Sequence, residues 1–210
     1  MDNNLYIFFI TDIIGIASFA LSGYLIAVRK ELDLLGVALF SFLTALGGGI
    51  IRDIIVQTKP VSLHDPLPSL IVMAVITIAF LSHIADKEKI ERFKIFILSD
   101  ALGLVSFSIS GAIVGIDNDL NFFGVIIVSL STAIGGGITR DILINEVPLI
   151  LTSGFYATVS VIVSTLLYLL NLANSLNGIT ITIVFLSGVA LRMIAFYKEW
   201  QLPKLKNRHT

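Results

Sequence analysis

Cysteine is absent from the 210 residues, and only 14% of them are charged. Without cysteine, the chain forms no disulfide bond and offers no thiol nucleophile or thiolate metal site. The three histidines, His64, His83 and His209, lie too far apart for metal-ligand spacing, so no metal is expected. A net charge of −1 argues against a nucleic-acid partner. The phosphate-loop, nucleophile-elbow and zinc-protease motifs are also missing, which indicates a protein that is not an enzyme and needs no cofactor.

The chain is strongly hydrophobic. Hydrophobic residues make up 56% of the chain and the mean hydropathy is +0.94, which is too high for a soluble domain. A transmembrane helix needs about 20 apolar residues. Seven stretches reach about that length, at residues 5–28, 34–56, 67–84, 93–116, 122–144, 149–172 and 179–197. We therefore predict an all-α membrane protein in which residues 1–210 form a single transmembrane domain of seven helices.

The basic residues are distributed unevenly among the loops between these spans. One side of the membrane would carry Arg29, Lys30, Lys87, Lys89, Arg92, Lys94, Lys198, Lys204, Lys206 and Arg208, and the other side only Lys59. Because cytoplasmic loops are enriched in lysine and arginine, this asymmetry predicts an outside N-terminus and a cytoplasmic tail at residues 198–210. The cluster from Lys87 to Lys94 fits a solvated loop, and anionic lipid headgroups are its alternative partner.

A ten-residue motif occurs twice, as TALGGGIIRD at residues 44–53 and as TAIGGGITRD at residues 132–141. The similarity extends beyond the motif at the same offset of 88 residues. Residues 12–60 and 100–148 align without a gap and are identical at 20 of 49 positions. We predict repeat 1 at residues 5–84, repeat 2 at residues 93–172 and an unmatched seventh helix at residues 179–197. Three helices per repeat is an odd number, so the repeats are inverted. A substrate path is then expected where they meet.

The glycine triplets of the motif fall near the middle of the second and fifth predicted helices. They comprise Gly47, Gly48, Gly49, Gly135, Gly136 and Gly137. Each glycine lowers helix stability by about 1 kcal/mol relative to alanine, so we predict that both helices are broken or kinked there. Non-helical backbone at this depth must line a cavity or be buried in protein, which favours a pore hinge. The alternative is that the glycines only let two helices pack closely.

A polar stripe accompanies each triplet. In each helix, two hydroxyl groups lie on the same face as a glycine and the arginine of the motif. They belong to Ser41 and Thr44 in the second predicted helix and to Ser129 and Thr132 in the fifth. A polar stripe in a membrane helix is expected to face a neighbour or a water-filled path rather than lipid. We predict that these four residues line a pore for a partly dehydrated monovalent cation.

Six charged residues lie within the predicted spans, in two layers. The first layer contains Asp12, Arg52 and Asp53, and the second contains Asp100, Arg140 and Asp141. Each layer has two carboxylates and one guanidinium, so the surplus negative charge would favour cations at the two mouths of a pore. The alternative is structural: Asp12 pairs with Arg52, and Asp100 with Arg140, because charges inside a membrane are usually paired.

Two further features have packing or topological explanations. The small residues Gly15, Ser18 and Ser22 form one face of the first helix, and Gly103, Ser106 and Ser110 repeat that face in the fourth. Such small faces predict close packing of helix backbones. Arg192, in the seventh helix, is expected to extend its guanidinium to the cytoplasmic surface.

With its doubled Gly-Gly-Gly motif, trailing Arg-Asp pairs and inverted repeats, the chain resembles the TRIC (trimeric intracellular cation) channels, in particular their prokaryotic branch. The resemblance implies a homotrimer in a prokaryotic cell membrane, in contact with lipid, in which each protomer has its own pore for potassium and sodium. Animal members carry Lys-Glu-Val where Gly135–Gly137 stand here. Voltage or phosphoinositide control of the animal type is therefore not implied.

Two other functions remain open. Bacterial sequences related to the TRIC channels are described as glycine-transporter-like, so a secondary transporter of glycine or another small amino acid is the main alternative. Such a carrier would share the fold. A structural or assembly protein of the membrane is the third possibility, and it leaves the polar stripes unexplained.

Overall fold

The structure is a computed structural model that describes residues 3–84, 88–152 and 155–203. Within these ranges the regular secondary structure is helical. The helices are α1 (Asn3–Arg29), α2 (Leu34–Ile55), α3 (Val61–His64), α4 (Leu67–Leu81), α5 (Lys89–Asp117), α6 (Phe122–Leu143), α7 (Leu149–Thr152), α8 (Tyr156–Leu172) and α9 (Gly178–Tyr197). Seven of these are long, and α3 and α7 have four residues each.

The spans predicted from sequence correspond to the long helices with two differences. In the part of the chain that the structure describes, five helices are long and apolar enough to cross a membrane, whereas α4 and α8 have only 15 and 17 residues. The predicted sixth span, 149–172, is not one helix in the structure, because α7 ends at Thr152 and α8 begins at Tyr156. Residues 204–210 of the predicted tail and Lys87 of the basic cluster lie outside the described residues.

The helices begin and end at recognisable local signals. Asp33 accepts a hydrogen bond from the backbone N–H of Gly36 at 2.7 Å, and Asn121 does the same for Gly124 at 2.9 Å, which satisfies amides at the starts of α2 and α6. Each long helix is followed, two positions after its end, by a residue in the left-handed region. These residues are Glu31, Gln57, His83, Asp119, Asn145, Asn174 and Glu199. The left-handed residue reverses the chain and allows short loops.

Four helices, α1, α2, α5 and α6, form the centre of the molecule. Helix α4 packs against α1 and α2, α8 packs against α5 and α6, and α9 lies outside against α8 and α5. The rings of Phe19 and Phe107 meet edge to face in the core, with centroids 5.3 Å apart. Each ring covers a glycine of the facing helix, Gly103 or Gly15, where an added Cβ would overlap the ring. The small faces predicted for close packing therefore do bring α1 and α5 together.

The glycine triplets do not break their helices, and the predicted kink stays a prediction. Helices α2 and α6 each continue without interruption through their glycine triplets. The two helices cross at this point, where a Cβ on Gly48 would overlap the carbonyl oxygen of Thr132 and one on Gly136 would overlap that of Thr44. Close packing, the alternative weighed from the sequence, accounts for these two central glycines. Tertiary packing stabilises the helices here and outweighs the low helix propensity of glycine.

Candidate functional site

Arg52 is the centre of a buried ionic cluster, here called the Arg52 cluster, which also contains Asp12, Asp53 and Ser110. The guanidinium is 1% exposed. Its Nη1 donates to Asp12 Oδ1 at 2.6 Å and to Ser110 Oγ at 2.7 Å, and its Nε donates to Asp53 Oδ1 at 2.8 Å. The second oxygen of Asp53 accepts the backbone N–H of Val61 at 2.9 Å. The geometry thus ties α1, α2 and α5 to the first residue of α3.

Arg140 is the centre of an equivalent cluster, the Arg140 cluster, with Asp100, Asp141 and Ser22. Its Nη1 donates to Asp100 Oδ1 at 2.9 Å and also to Ser22 Oγ, and its Nε donates to Asp141 Oδ1 at 2.8 Å. The second oxygen of Asp141 accepts the backbone N–H of Leu149 at 2.9 Å. Every one of these partners lies 88 positions from its equivalent in the Arg52 cluster. The two ion pairs that the sequence suggested, Asp12–Arg52 and Asp100–Arg140, are therefore present.

Each cluster includes a serine from the other half of the chain. Helix α1 carries Asp12 to the Arg52 cluster and Ser22 to the Arg140 cluster, while α5 carries Asp100 and Ser110 in the reverse order. The two helices therefore run in opposite directions. Ten residues of helix separate the two contacts on each, so the clusters lie about 15 Å apart along them. The crossing of α2 and α6 at Gly48 and Gly136 lies between them.

The four residues predicted to line a pore are buried between the clusters. Ser41, Thr44, Ser129 and Thr132 are all 0% exposed. Three of the hydroxyls donate to the carbonyl four residues earlier in their own helix, as Thr44 does to Phe40 at 2.7 Å and Thr132 to Val128 at 2.6 Å. Ser129 instead donates to the carbonyl of Ser108 on α5 at 2.7 Å. In this conformation the hydroxyls satisfy backbone carbonyls and do not face an open channel.

The two clusters differ in their access to water. A cleft beside the Arg52 cluster, lined in part by Asp12, Gly49 and Pro68, has about 10 Å³ available, which is about the minimum for one water molecule. The equivalent cleft beside Arg140 has no water-sized space. Accordingly, the side chain of Asp12 is 15% exposed and that of Asp100 only 1%. Phe96 also packs on this cluster, since Arg140 lies over its ring at 5.0 Å.

Comparison with known proteins identifies the family. The sequence model of the family described as "Glycine transporter" matches residues 9–83 and 97–171, which together are more than half of the chain. The chain belongs to this family. Its two matches begin 88 residues apart, the offset of the sequence repeat.

Curated relatives come from bacteria. The UPF0126 membrane protein YvgT of Bacillus subtilis is 33% identical over 194 residues, which cover 91% of this chain and 93% of the relative. A UPF0126 membrane protein of Deinococcus radiodurans is 40% identical over 141 residues, which cover 65% of this chain and 63% of the relative. Five apolar helices of spanning length and this family membership make the chain an integral membrane protein.

Solved structures place the family among the TRIC channels. One, described as the structural basis for conductance through TRIC cation channels, is 38% identical with a TM-score of 0.81, and the similarity covers 96% of this chain and 98% of that one. The TRIC trimeric intracellular cation channel orthologue from Rhodobacter sphaeroides is 26% identical with a TM-score of 0.85, over 92% and 98% of the two chains. The predicted membership of the prokaryotic TRIC branch is confirmed. These matches are to channels, not to enzymes.

Four residues have positions that the sequence does not predict. The small helix faces predict only packing for Ser22 and Ser110, yet these serines hydrogen-bond the two buried arginines. Arg192 does not extend to the surface, since it is 2% exposed and lies over the ring of Tyr156 at 4.5 Å. The sequence places Tyr156 only within an apolar span. One feature of the sequence indicates the role of the two serines. Ser22 and Ser110 occupy equivalent positions in the two repeats, 88 residues apart, and both lie on polar helix faces.

An exposed ion-pair cluster joins the end of α1 to the loop after α6. Glu146 Oε1 lies 2.9 Å from Arg29 Nη2 and 2.8 Å from Lys30 Nζ. The hydrogen bond from Lys30 is the largest cause that lowers the pKa of Glu146 below its ordinary value, and the positive charge of Arg29 adds to it. A lowered carboxyl pKa stabilises the fold above the ordinary pKa, and the contribution disappears as pH falls through the lowered value.

We expect Glu146→Gln to lower the free energy of unfolding by less than about 1 kcal/mol at pH 7, because all three side chains are well exposed. The difference from the parent protein should vanish at a pH below the lowered pKa, where Glu146 is protonated. Detergent-solubilised protein unfolded at neutral and at acidic pH provides the measurement. A large loss that does not depend on pH would contradict this assignment.

Proposed function

We propose that the chain is a monovalent cation channel, with a path that runs between the Arg52 and Arg140 clusters across the crossing of α2 and α6. The observation that carries this proposal is the pair of buried clusters, each with two carboxylates and one guanidinium, in a fold shared with TRIC cation channels. Each cluster has a net charge of −1 when its members are ionised. A negative charge at both ends of a low-dielectric path concentrates cations and repels anions.

The arginines keep the buried carboxylates ionised within the membrane. An unpaired carboxylate in this environment would take up a proton and lose its charge. Arg52 and Arg140 each neutralise one carboxylate and position both through Nη1 and Nε. We propose that the remaining negative charge acts on ions at the two mouths, through Asp12 and Asp53 at one and through Asp100 and Asp141 at the other.

We further propose that each protomer of a homotrimer holds its own pore. In both clusters the two carboxylates, the guanidinium and the serine come from one chain, which supports a path within the protomer. The trimer itself is inferred from similarity to the Rhodobacter sphaeroides protein, which is described as trimeric. Potassium and sodium are the proposed ions, because hydroxyl and carbonyl oxygens such as those of Thr44 and Thr132 suit partly dehydrated monovalent cations.

The proposed topology has seven membrane-crossing helices, with α4 and α8 as the two short ones and α9 outside the two inverted repeats. Arg29, Lys30 and Glu146 would lie on the cytoplasmic side, with the Arg140 cluster towards the same face and the Arg52 cluster towards the outside. The antiparallel course of α1 and α5 supports this arrangement. Bending at the glycine triplets, without a break in either helix, is the proposed means by which the path opens.

Recording from the purified protein in planar bilayers tests the function. We expect unitary currents whose reversal potential in a KCl gradient lies near that of potassium, because chloride should be excluded by the two net negative clusters. The currents should persist when sodium replaces potassium on one side of the bilayer. Asp12→Asn combined with Asp100→Asn should reduce the preference for cations over chloride.

The family description also names glycine transport, so the same preparation should be assayed for uptake of labelled glycine into liposomes. A channel gives currents that are independent of glycine. Saturable uptake of glycine in the absence of unitary currents would refute the channel proposal and support the carrier. The channel is favoured over the carrier because cation permeation accounts for the net negative charge at both clusters.

A further inference from the structure

One position distinguishes the two otherwise equivalent clusters. Pro68, the second residue of α4, borders the cleft of the Arg52 cluster. Its equivalent 88 residues later is Tyr156, the first residue of α8, which borders the cleft of the Arg140 cluster. A compact proline therefore stands at one mouth, and a large aromatic ring stands at the other.

Tyr156 is held in place from outside the repeated part of the fold. Its side chain is buried, and the guanidinium of Arg192 on α9 lies 4.5 Å from the centre of its ring. An arginine at this distance from an aromatic face is attracted to it, and more strongly when both are desolvated. The hydroxyl lies over Gly137, where an added Cβ would be 3.6 Å from it. Helix α9 has no counterpart in the first repeat, and among the described residues no arginine lies over Pro68, the equivalent of Tyr156.

The difference in side chain matches the difference in access. In α6 all three glycines of the triplet are buried, whereas in α2 only Gly48 is. The cleft beside Pro68 has about 10 Å³ for water, and the cleft beside Tyr156 has none. The same element of the fold thus leaves space for about one water molecule beside the Arg52 cluster and none beside the Arg140 cluster.

The closed mouth also contains a polar atom that water would satisfy. Among the described residues, Arg140 Nη2 is buried without a hydrogen-bond partner. A buried polar atom without a partner is unfavourable by an amount comparable to a hydrogen bond. Hydration of this atom therefore favours movement of the Tyr156 ring, while the packing of the ring, its contact with Arg192 and the interaction of its hydroxyl with Asp100 oppose that movement.

We propose that Tyr156, clamped by Arg192, is the constriction that closes the Arg140 mouth, and that its displacement from Gly137 admits water and then cations to Asp100. The part of this proposal that concerns cations rests on the proposed channel function. The part that concerns water access does not. The Arg52 mouth, with Pro68 at the equivalent position, stays accessible.

Reporter cysteines test the constriction, because the parent chain has no cysteine of its own. Gly49→Cys and Gly137→Cys place a thiol at equivalent positions beside the two clusters, where the Cβ meets neighbours only at 3.6 Å or more. The purified protein in detergent is treated with a small neutral methanethiosulfonate. We expect the cysteine at position 49 to react about tenfold faster than the one at position 137, as a contact of cation–π strength implies.

Changes at Tyr156 and Pro68 should alter how fast the reagent reaches the two reporter cysteines. Tyr156→Ala should raise the reaction rate at position 137 about tenfold and leave that at position 49 unchanged, and Pro68→Tyr should slow the reaction at position 49. Tyr168→Ala is the matched control, since it removes the same ring from the same helix at a site where it packs on Phe122. In planar bilayers Tyr156→Ala should increase the open probability by a similar factor.

The outcomes separate the constriction from the channel. Equal rates at positions 49 and 137 in the parent, or acceleration at 137 by Tyr168→Ala as large as by Tyr156→Ala, would overturn the constriction. The expected thiol pattern without any unitary current would uphold the constriction and refute the channel. If Tyr156→Ala does not fold, Pro68→Tyr decides the matter, because an unchanged rate at position 49 would overturn the assignment.

Discussion

Replacement of Arg140 by methionine should lower the free energy of unfolding by about 3–5 kcal/mol, because it leaves a buried ion cluster without its cation. The side chains of Asp100 and Asp141 are only 1% and 7% exposed, and both direct an oxygen at this guanidinium. Methionine matches the length of the arginine stem and keeps its apolar packing, so lost packing would not explain the result. Unfolding of the detergent-solubilised protein by increasing SDS, followed by tryptophan fluorescence of Trp200 or by circular dichroism, measures the change.

The matched variant Arg52→Met should be less costly than Arg140→Met. Its partner Asp12 is 15% exposed and borders the cleft that has space for about one water molecule, so the unpaired carboxylate can be hydrated. Asp100→Asn added to Arg140→Met should restore part of the stability, since it removes one of the two unpaired charges. Equal costs for Arg140→Met and for the exposed variant Glu146→Gln would show that the cluster does not stabilise the fold.

The pairing of Asp12 with Arg52 and of Asp100 with Arg140 could be predicted from the sequence alone. The two-copy alignment places each carboxylate and arginine at matching depth, and membrane charges need partners. The serines of the same clusters could not be assigned in this way. Helical periodicity gives the face on which Ser22 lies, but its contact with Arg140 depends on how α1 and α5 cross. That crossing is set by the tertiary packing of Phe19 and Phe107 on the facing glycines.

The error at the glycine triplets has a related cause. Helix propensity counts only the local free energy of each glycine, and on that basis a break in α2 and α6 is reasonable. The contacts that stabilise the continuous helices come from the other repeat, 88 residues away in sequence. Arg192 illustrates the same limit, because its distance from the end of α9 suggested the surface, whereas the position of Tyr156 on α8 decided where the guanidinium lies.

Gly48→Ala and Gly136→Ala should each lower the free energy of unfolding by about 1–3 kcal/mol and suppress the cation current. An added methyl group on Gly48 would overlap the carbonyl oxygen of Thr132, and one on Gly136 would overlap that of Thr44. These neighbours are backbone atoms of a continuous helix, so they cannot rotate aside as a side chain would. The two helices must then separate where the proposed path crosses them.

The adjacent glycines provide the control for this prediction. At Gly49 and Gly137 an added Cβ meets its nearest neighbours at 3.8 Å and 3.6 Å, which are ordinary contacts. Gly49→Ala and Gly137→Ala should therefore keep the parent stability or raise it by up to about 1 kcal/mol, because alanine is the better helix former. The four variants are compared by thermal unfolding and by currents in planar bilayers. Raised stability together with reduced current in all four variants would contradict the prediction for Gly48 and Gly136, and would place the proposed bend across each whole triplet.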